Sequence, residues 1–294
     1  MTDIATSASG PDPAQHWAVR VPGSSANVGA GFDVLGMAVG LHADVGCGPA
    51  PDGATPADEH HPATVAFRRL GGAGPVWTRS SIPMGRGLGF SGAVRVGGAA
   101  AALVQRHGVV ALGDPDHRRS VLEVSSELER HADNAAASLV GGVVIVADGL
   151  VTQVPLGFEP AVVVWIPDRT TTSTDRSRSV LSDTVARSDA VFNLGRVATF
   201  VAACAVGDVE RLRTATQDRL HQPARLADVP SSAAAIEAGL AAGAWAAWLS
   251  GSGPTVAMLC DPKAAELLTA ALPQDGHTKV LRVDHDGARV IAEV

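Results

Sequence analysis

Three glycines, Gly85, Gly87 and Gly89, alternate through the segment PMGRGLGFSGA and lead into Ser91, the first hydroxyl of an apolar helical stretch. Such glycines expose backbone N–H groups, and the start of a helix adds the positive end of its dipole at the same place. A phosphate group fits a loop of this kind. No GK[ST] follows, so a P-loop lysine is absent, and Arg86 becomes the candidate cation with Ser91 the candidate hydroxyl for a metal ion or phosphate oxygen. The same pattern also serves as a plain glycine turn before a packed helix, and the loop alone leaves both readings open.

A second segment, VPGSSANVGAGFD, is too polar for a core and too long for a hairpin turn. It sets Asn27 and Asp33 six residues apart, able to orient a hydroxyl and a cationic amine. Read blandly, it is an Asx-rich loop that satisfies its own backbone. A third segment, LEVSSELERHADN, puts Glu123, Glu127 and His131 at i, i+4 spacing, with Glu129, Asp133 and Asn134 close by. A carboxylate beside a triphosphate suits Mg²⁺, which takes oxygen ligands and keeps phosphate oxygens among them; away from one, it is a solvated acidic helix face. The loop LSGSGPTVAML between two apolar runs is weaker: it can approach a ligand or simply turn a strand. Arg178 and Arg225 are either surface residues or a bidentate grip for a carboxylate.

The elements that must position these residues alternate without a regular βαβ repeat, which favours α+β over a parallel doubly wound sheet. Residues 1–16 read as a disordered leader. A strand is expected over Trp17–Val21, another after the polar loop, a loop from Gly46 to Pro62, and a weak strand near Val76. A helix covers 91–107, where Gly97 and Gly98 imply close packing against another element. A second helix starts at Pro115 with Asp114 as its cap, and a short helix and the strand Val143–Ala147 follow. From Ala161 the pattern restarts: a strand, helices near 188–206, 208–220 and 231–242, two strands around SGSGP, a helix near 263–271 and a strand near 279–283.

Composition narrows the partners. With 23 Lys+Arg against 30 Asp+Glu the net charge is -7, which excludes a protein that lives on nucleic-acid phosphates or anionic membrane and points to a small or neutral ligand. Of the 23 basic residues only Lys263 and Lys279 are lysines, which removes the Walker and protein-kinase ways of holding a triphosphate. Three scattered cysteines, without CxxC or zinc spacing, fit a reducing cytoplasm, and no signal peptide or unbroken membrane-length apolar run is visible.

In order, these segments resemble the three motifs of the GHMP kinase superfamily, and HADNAAASLVGGVVI, TDRSRSVL, DAVFNLGRVATFVAA and RLHQPAR resemble its homoserine kinase family in particular. The resemblance runs from about Val19 to Cys260. It implies a two-domain α+β fold, with a ribosomal protein S5 domain 2-like nucleotide-binding domain over residues 17–155 and a ferredoxin-like domain over 156–294. It also implies a homodimer, and ATP- and Mg²⁺-dependent phosphorylation of the L-homoserine hydroxyl on the way to threonine. Carried over by position, Asn27 holds the acceptor hydroxyl, Asp33, His131 and Asp133 meet the amino side, and Thr174, Arg178 and Arg225 meet the carboxylate. Asn134 stands by the reacting groups, so Asn27, Asn134 and Arg178 form the catalytic set. Pro83, Gly85, Arg86, Gly87, Leu88, Gly89, Phe90, Ser91 and Gly92 wrap the nucleotide, and Ser91 with Glu127, preferred over Glu123 and Glu129, completes the metal shell. The resemblance points to transfer without a dedicated base. Three departures stand out: GLGFSG where the family has GLGSSA, GAGFD for GPGFD, and a short, Pro-rich stretch from Gly46 to Ser81 in which HPATVAFRRL is a remnant of the usual helix start. Two other readings remain, a kinase of another carboxylate-bearing alcohol such as threonine or shikimate, and a non-catalytic metabolite-binding protein.

Overall fold

The computed structural model describes residues 17–169 and 174–292, without the side chains of Thr174 and Asp175. The expected leader, residues 1–16, lies outside the described residues. The first half of the chain runs through β1 (Trp17–Ala26), β2 (Leu35–Cys47), β3 (Thr55–Ala57), α1 (Pro62–Arg69), β4 (Val76–Ser80), α2 (Phe90–His107), α3 (Pro115–Glu129), α4 (Asp133–Val140), β5 (Val143–Ala147) and β6 (Leu150–Val154). Strand β1 continues through PGSSA, which reads as loop because its residues are small and polar. Ser24 and Ser25 are fully buried there, and a Cβ on Gly23 would stand 2.9 Å from the Leu88 carbonyl, so only a slim strand passes beneath the glycine loop. The Gly46–Pro62 stretch is likewise not all loop, since Thr55–Ala57 pairs with β4 at the sheet edge.

Helix α2 is the spine of this half. A Cβ on Gly97 would meet Val45 of β2 at 2.5 Å, and one on Gly98 would meet the Ala63 carbonyl of α1 at 2.0 Å. The two glycines let α2 lie against the sheet on one side and α1 on the other, at the propensity cost of about 1 kcal/mol each relative to Ala.

The second half contains β7 (Ala161–Pro167), α5 (Thr174–Ser179), α6 (Arg187–Val206), α7 (Leu212–Ala215), α8 (Gln222–Ala227), α9 (Pro230–Ala241), β8 (Ala246–Leu249), β9 (Val256–Cys260), α10 (Ala265–Ala270) and β10 (Gly276–Leu281). Its four strands lie in the order β10-β7-β9-β8, all antiparallel, which is the ferredoxin-like arrangement expected. The single helix expected over 208–220 is interrupted. Asp218 takes backbone N–H groups of Leu220, His221 and Gln222 at 3.0, 2.9 and 2.7 Å and so starts α8 instead. By length and composition α6 is apolar enough to cross a membrane, a property that a search for an unbroken apolar run does not register. It buries Asn193, Phe200, Ala203 and Cys204 against the rest of the protein.

The expected boundary of the second domain at residue 294 needs correction. A last strand, β11 (Arg289–Ala292), crosses back and pairs with β1, so the end of the chain completes the first sheet. Asp284 fixes this return: its carboxylate lies 2.7 Å from His42 Nε2 and accepts the Gly287 amide at 2.9 Å, with Arg289 at 3.3 Å. Burial alone would raise its pKa, but these hydrogen bonds and charges bring it down to about 2.

Candidate active site

One cleft is lined by Asn27, Asp33, Pro83, the loop Gly85–Gly92, Glu129, His131, Asp133, Asn134, Arg178, Arg225, Gly251 and Ser252. Segments separated by more than two hundred residues meet there. The glycine loop takes its shape from left-handed backbone at Gly85, Gly87 and Gly89 (φ 65°, 74° and 70°). Side chains at the last two positions would also collide with the supports of the loop: a Cβ on Gly87 would lie 2.3 Å from the Ser250 carbonyl, and one on Gly89 2.1 Å from Ser24 Oγ. Those supports clamp the loop from below. The Ser24 amide donates to the Leu88 carbonyl at 3.1 Å, and Ser250 Oγ donates to the Gly87 carbonyl at 2.7 Å. With its carbonyls held inward and no side-chain cap on α2, the start of the helix presents N–H groups to the cleft. Arg86 lines the cleft, but its guanidinium donates to the carbonyls of Pro167 and Asp168 at the end of β7, tying the loop to the second domain. Phe90 meets His61 edge-on at 6.4 Å. At Gly92 an added methyl would press on Asn134 Cβ at 3.2 Å, so glycine here gives Asn134 room.

The turn after β1 is strained in a way the sequence does not reveal. Asn27, Val28 and Asp33 all adopt positive φ, at 69°, 36° and 56°. Asn27 donates to the Gly251 carbonyl at 2.9 Å and accepts the Asp33 amide at 3.0 Å, so the Asx-turn reading and the cleft reading describe the same side chain. Asp33 in turn pairs with Arg178 at 2.7 Å. Arg225, nearly fully buried, donates to the carbonyls of Ser177 and Gly251 at 3.1 and 3.2 Å and to His221 Nδ1 at 3.2 Å. Both guanidinium groups and the His221 ring lie against Phe32, at 5.6, 5.1 and 5.2 Å.

His221 has no exposed surface, and its Nε2 lies 2.8 Å from the Gly29 carbonyl. A carbonyl only accepts and an arginine only donates, so the ring carries its proton on Nε2 and accepts from Arg225 at Nδ1. Burial pushes its pKa down against the opposing pull of Asp218. Burial also lowers that of Arg225, with the Arg178 charge acting in the same direction.

On the third side, Asp133 is buried and accepts the Asn134 amide at 2.7 Å, with His131 Nδ1 at 3.1 Å. Asn134 Oδ1 accepts from Ser24 Oγ at 2.9 Å, which links it to the floor of the glycine loop. Glu127 does not reach the cleft. It points outward, 62% exposed, and pairs with Arg69 at 3.0 Å. Two residues further on, the opposite side of α3 faces α2, and Glu129 accepts a 2.6 Å hydrogen bond from Ser91. The i, i+4 pattern of Glu123 and Glu127 marks the solvent face, and α3 ends at Glu129, before His131 could join that face. Glu129, not Glu127, is therefore the carboxylate beside the loop. Among the described residues no group of three or more His, Cys, Asp or Glu gathers as a metal cluster. A carboxylate and a hydroxyl nevertheless suit Mg²⁺ when phosphate oxygens complete the shell.

Except for Glu127 and Thr174, every residue expected at the site lines this cleft. The side chain of Thr174 lies outside the described residues. Sequence reasoning weighed Glu129 but ranked it behind Glu127, and it missed the contributions of Gly251 and Ser252 and the His221–Asp218–Asn193 support; only the histidine within RLHQPAR gave a signal of the last.

Comparison with known proteins agrees with this geometry. Residues 61–142 match the model for the GHMP kinases N terminal domain, and residues 200–278 match GHMP kinases C terminal. The homoserine kinase of Moorella thermoacetica is 37% identical over 284 residues, spanning 88% of this chain and 93% of that protein. The homoserine kinase of Streptomyces coelicolor is 35% identical, spanning 93% and 94%. Among solved structures, homoserine kinase from Cytophaga hutchinsonii superposes with TM-score 0.78 at 26% identity, covering 93% of this chain and 96% of that one. A mevalonate kinase shares the fold at TM-score 0.65 and 12% identity, covering 92% of this chain and 99% of that one.

Proposed function

The chain belongs to the GHMP kinase family, among its homoserine kinases, and from that premise we propose that its cleft transfers the γ-phosphoryl group of ATP to the side-chain hydroxyl of L-homoserine, giving O-phospho-L-homoserine for threonine biosynthesis. The observation that carries the acceptor class is the Asp33–Arg178 pair at 2.7 Å, with Arg225 beside the same Phe32 ring. An α-amino acid offers an ammonium and a carboxylate on one carbon, and this juxtaposition of one carboxylate with two guanidinium groups is its electrostatic complement. Shikimate has a carboxylate but no ammonium, and brings no positive group to Asp33.

In this reading Arg178 and Arg225 hold the carboxylate, Asp33, Asp133 and His131 meet the ammonium, and Asn27 orients the hydroxyl. The loop Gly85–Gly92 and the start of α2 hold the phosphates through backbone N–H groups, and Asn134 stands where the glycine loop meets the acceptor side. Ser91 and Glu129 would hold Mg²⁺, which supplies charge neutralisation at the phosphates when bound. The cleft carboxylates are all engaged, Asp33 by Arg178, Asp133 by His131 and the Asn134 amide, and Glu129 by Ser91. A dedicated general base is not needed, because phosphoryl transfer depends on alignment and charge neutralisation. We also propose a homodimer in the cytoplasm: α6 leaves Val191, Leu194 and Val206 exposed, and the three cysteines are free.

The test is ADP release with Mg-ATP and a panel of hydroxy amino acids and shikimate. Homoserine is expected to give the highest kcat/KM. Turnover with another acceptor but not with homoserine would overturn the substrate, and a ligand-induced rise in Tm without any turnover would favour a binding protein.

A further inference from the structure

Ser91 and Glu129 share their contact with a third residue that the family motif does not include. Arg95 lies one turn after Ser91 on α2, and its guanidinium donates to Ser91 Oγ and forms an ion pair with Glu129 Oε1. The carboxylate is thus gripped on one oxygen by two side chains of α2, while its other oxygen faces His131 Nε2 at 4.0 Å. All of this is shielded from water: the side chains of Arg95, Glu129 and His131 are 20%, 9% and 9% exposed. Arg95 Nε is buried without a hydrogen-bond partner, so Glu129 and Ser91 are the partners that hold this guanidinium. Arg95 does not line the cleft; it stands behind the two oxygen ligands and reaches them from the α2 side.

A carboxylate that already neutralises a buried guanidinium has little charge left for a divalent ion, and a divalent ion brought there meets a positive neighbour at contact distance. We propose that Arg95 is a resident cation that closes the Ser91–Glu129 subsite to free divalent metal, so that metal enters only together with the phosphate oxygens of a nucleotide. This rests on the reading of Ser91 and Glu129 as metal ligands. It makes Arg95 a specificity residue: the negative charge of the nucleotide phosphates is what tips the competition between guanidinium and metal toward the metal.

The experiment is titration of free Mn²⁺, followed by its electron paramagnetic resonance signal, into the nucleotide-free full-length protein. Arg95→Met, which keeps an apolar stem of similar length, is expected to tighten Mn²⁺ binding by about tenfold or more, the scale of one charge-assisted bond to a buried carboxylate. Adding Glu129→Gln to that variant is expected to abolish the gain. Arg95→Gln, which removes the charge but keeps a polar side chain, replaces it if Arg95→Met does not fold, with a gain in the same direction. No gain in whichever variant folds, or a gain that survives Glu129→Gln, overturns the proposal. Titration of Mn²⁺ with a non-hydrolysable ATP analogue separates the two readings. If the wild type binds that complex and Glu129→Gln weakens it, the metal reading stands whatever Arg95 does. If Glu129→Gln has no effect there, the metal reading falls and takes this inference with it.

Discussion

Replacing His221 with leucine should damage the acceptor side of the reaction and leave the nucleotide side almost untouched. The ring donates to the Gly29 carbonyl at 2.8 Å and accepts from Arg225 at 3.2 Å, both fully buried. Leucine fills much of the volume but leaves a carbonyl and a charged N–H without partners. An orphaned buried group costs about 1–3 kcal/mol, so the two together should lower stability by about 2–6 kcal/mol. Arg225 keeps its bonds to Ser177 and Gly251 but loses the one that fixes the far side of its fork. If half of that loss is felt in the bound complex, acceptor KM rises by about tenfold, since 1.4 kcal/mol is one decade. The loop that holds ATP is braced by Ser24 and Ser250 and has no hydrogen bond to His221, so ATP KM should change less than about twofold. The assay is steady-state kinetics with each substrate varied in turn, together with urea unfolding. His221→Gln, whose amide offers both a donor and an acceptor, should recover most of the acceptor KM. An equal rise in both KM values, or a stability loss with acceptor KM unchanged, would refute the positioning role.

Glu129→Gln should lower kcat by about a hundredfold, the scale of losing one charge-stabilising group at the phosphates, whereas Glu127→Gln on the solvent face should stay within about twofold of wild type; the reverse pattern in ADP-release kinetics would restore Glu127 to the metal. Gly89→Ala places a methyl 2.1 Å from Ser24 Oγ at φ 70°, and should abolish measurable binding of an ATP analogue by calorimetry while acceptor binding persists; normal ATP affinity would show that the loop does not hold phosphate. Two linked pH effects follow from the buried pairs. His221 has its pKa lowered in the fold, so the unfolded chain binds the proton first, and stability is full above the unfolded histidine pKa of about 6.5 and falls as pH drops below it. Asp284, lowered from 3.8 to about 2, contributes about 2 kcal/mol that is present above 3.8 and lost as pH falls through that window. Urea unfolding of His221→Gln and Asp284→Asn across pH 2–8 should flatten the first and second slopes respectively, and unchanged profiles would contradict both assignments.

Long helices and buried strands announce themselves because their signals are local. The strand Ala161–Pro167 is a continuous run of buried apolar residues, and α2 is marked by helical periodicity with two glycines whose packing role the fold confirms. Local signals failed where small or polar residues form structure for a distant reason. Ser24 and Ser25 read as loop, yet they form a strand because Ser24 supports the glycine loop and Ser25 accepts from Trp248 and hydrogen-bonds the Ser250 hydroxyl. The helix expected over 208–220 breaks because Asp218 prefers the amides of the next turn, with Asn193 from α6 at 2.6 Å.

What the sequence determined by itself is the chemistry available: glycine amides and a helix start for phosphate, two arginines and an aspartate for an amino acid, and almost no lysine. Spacing and residue type suffice for that, because they are properties of a few neighbouring residues. Tertiary structure decided which carboxylate faces the phosphate loop, since Glu127 and Glu129 differ only in which side of α3 packs against α2. It also decided that the end of the chain completes the first sheet, that Arg95 occupies the carboxylate, and that a neutral His221 holds Arg225. Each of these depends on a contact between residues far apart in sequence, or on which face of a helix is turned inward, and neither is encoded in any short window of residues.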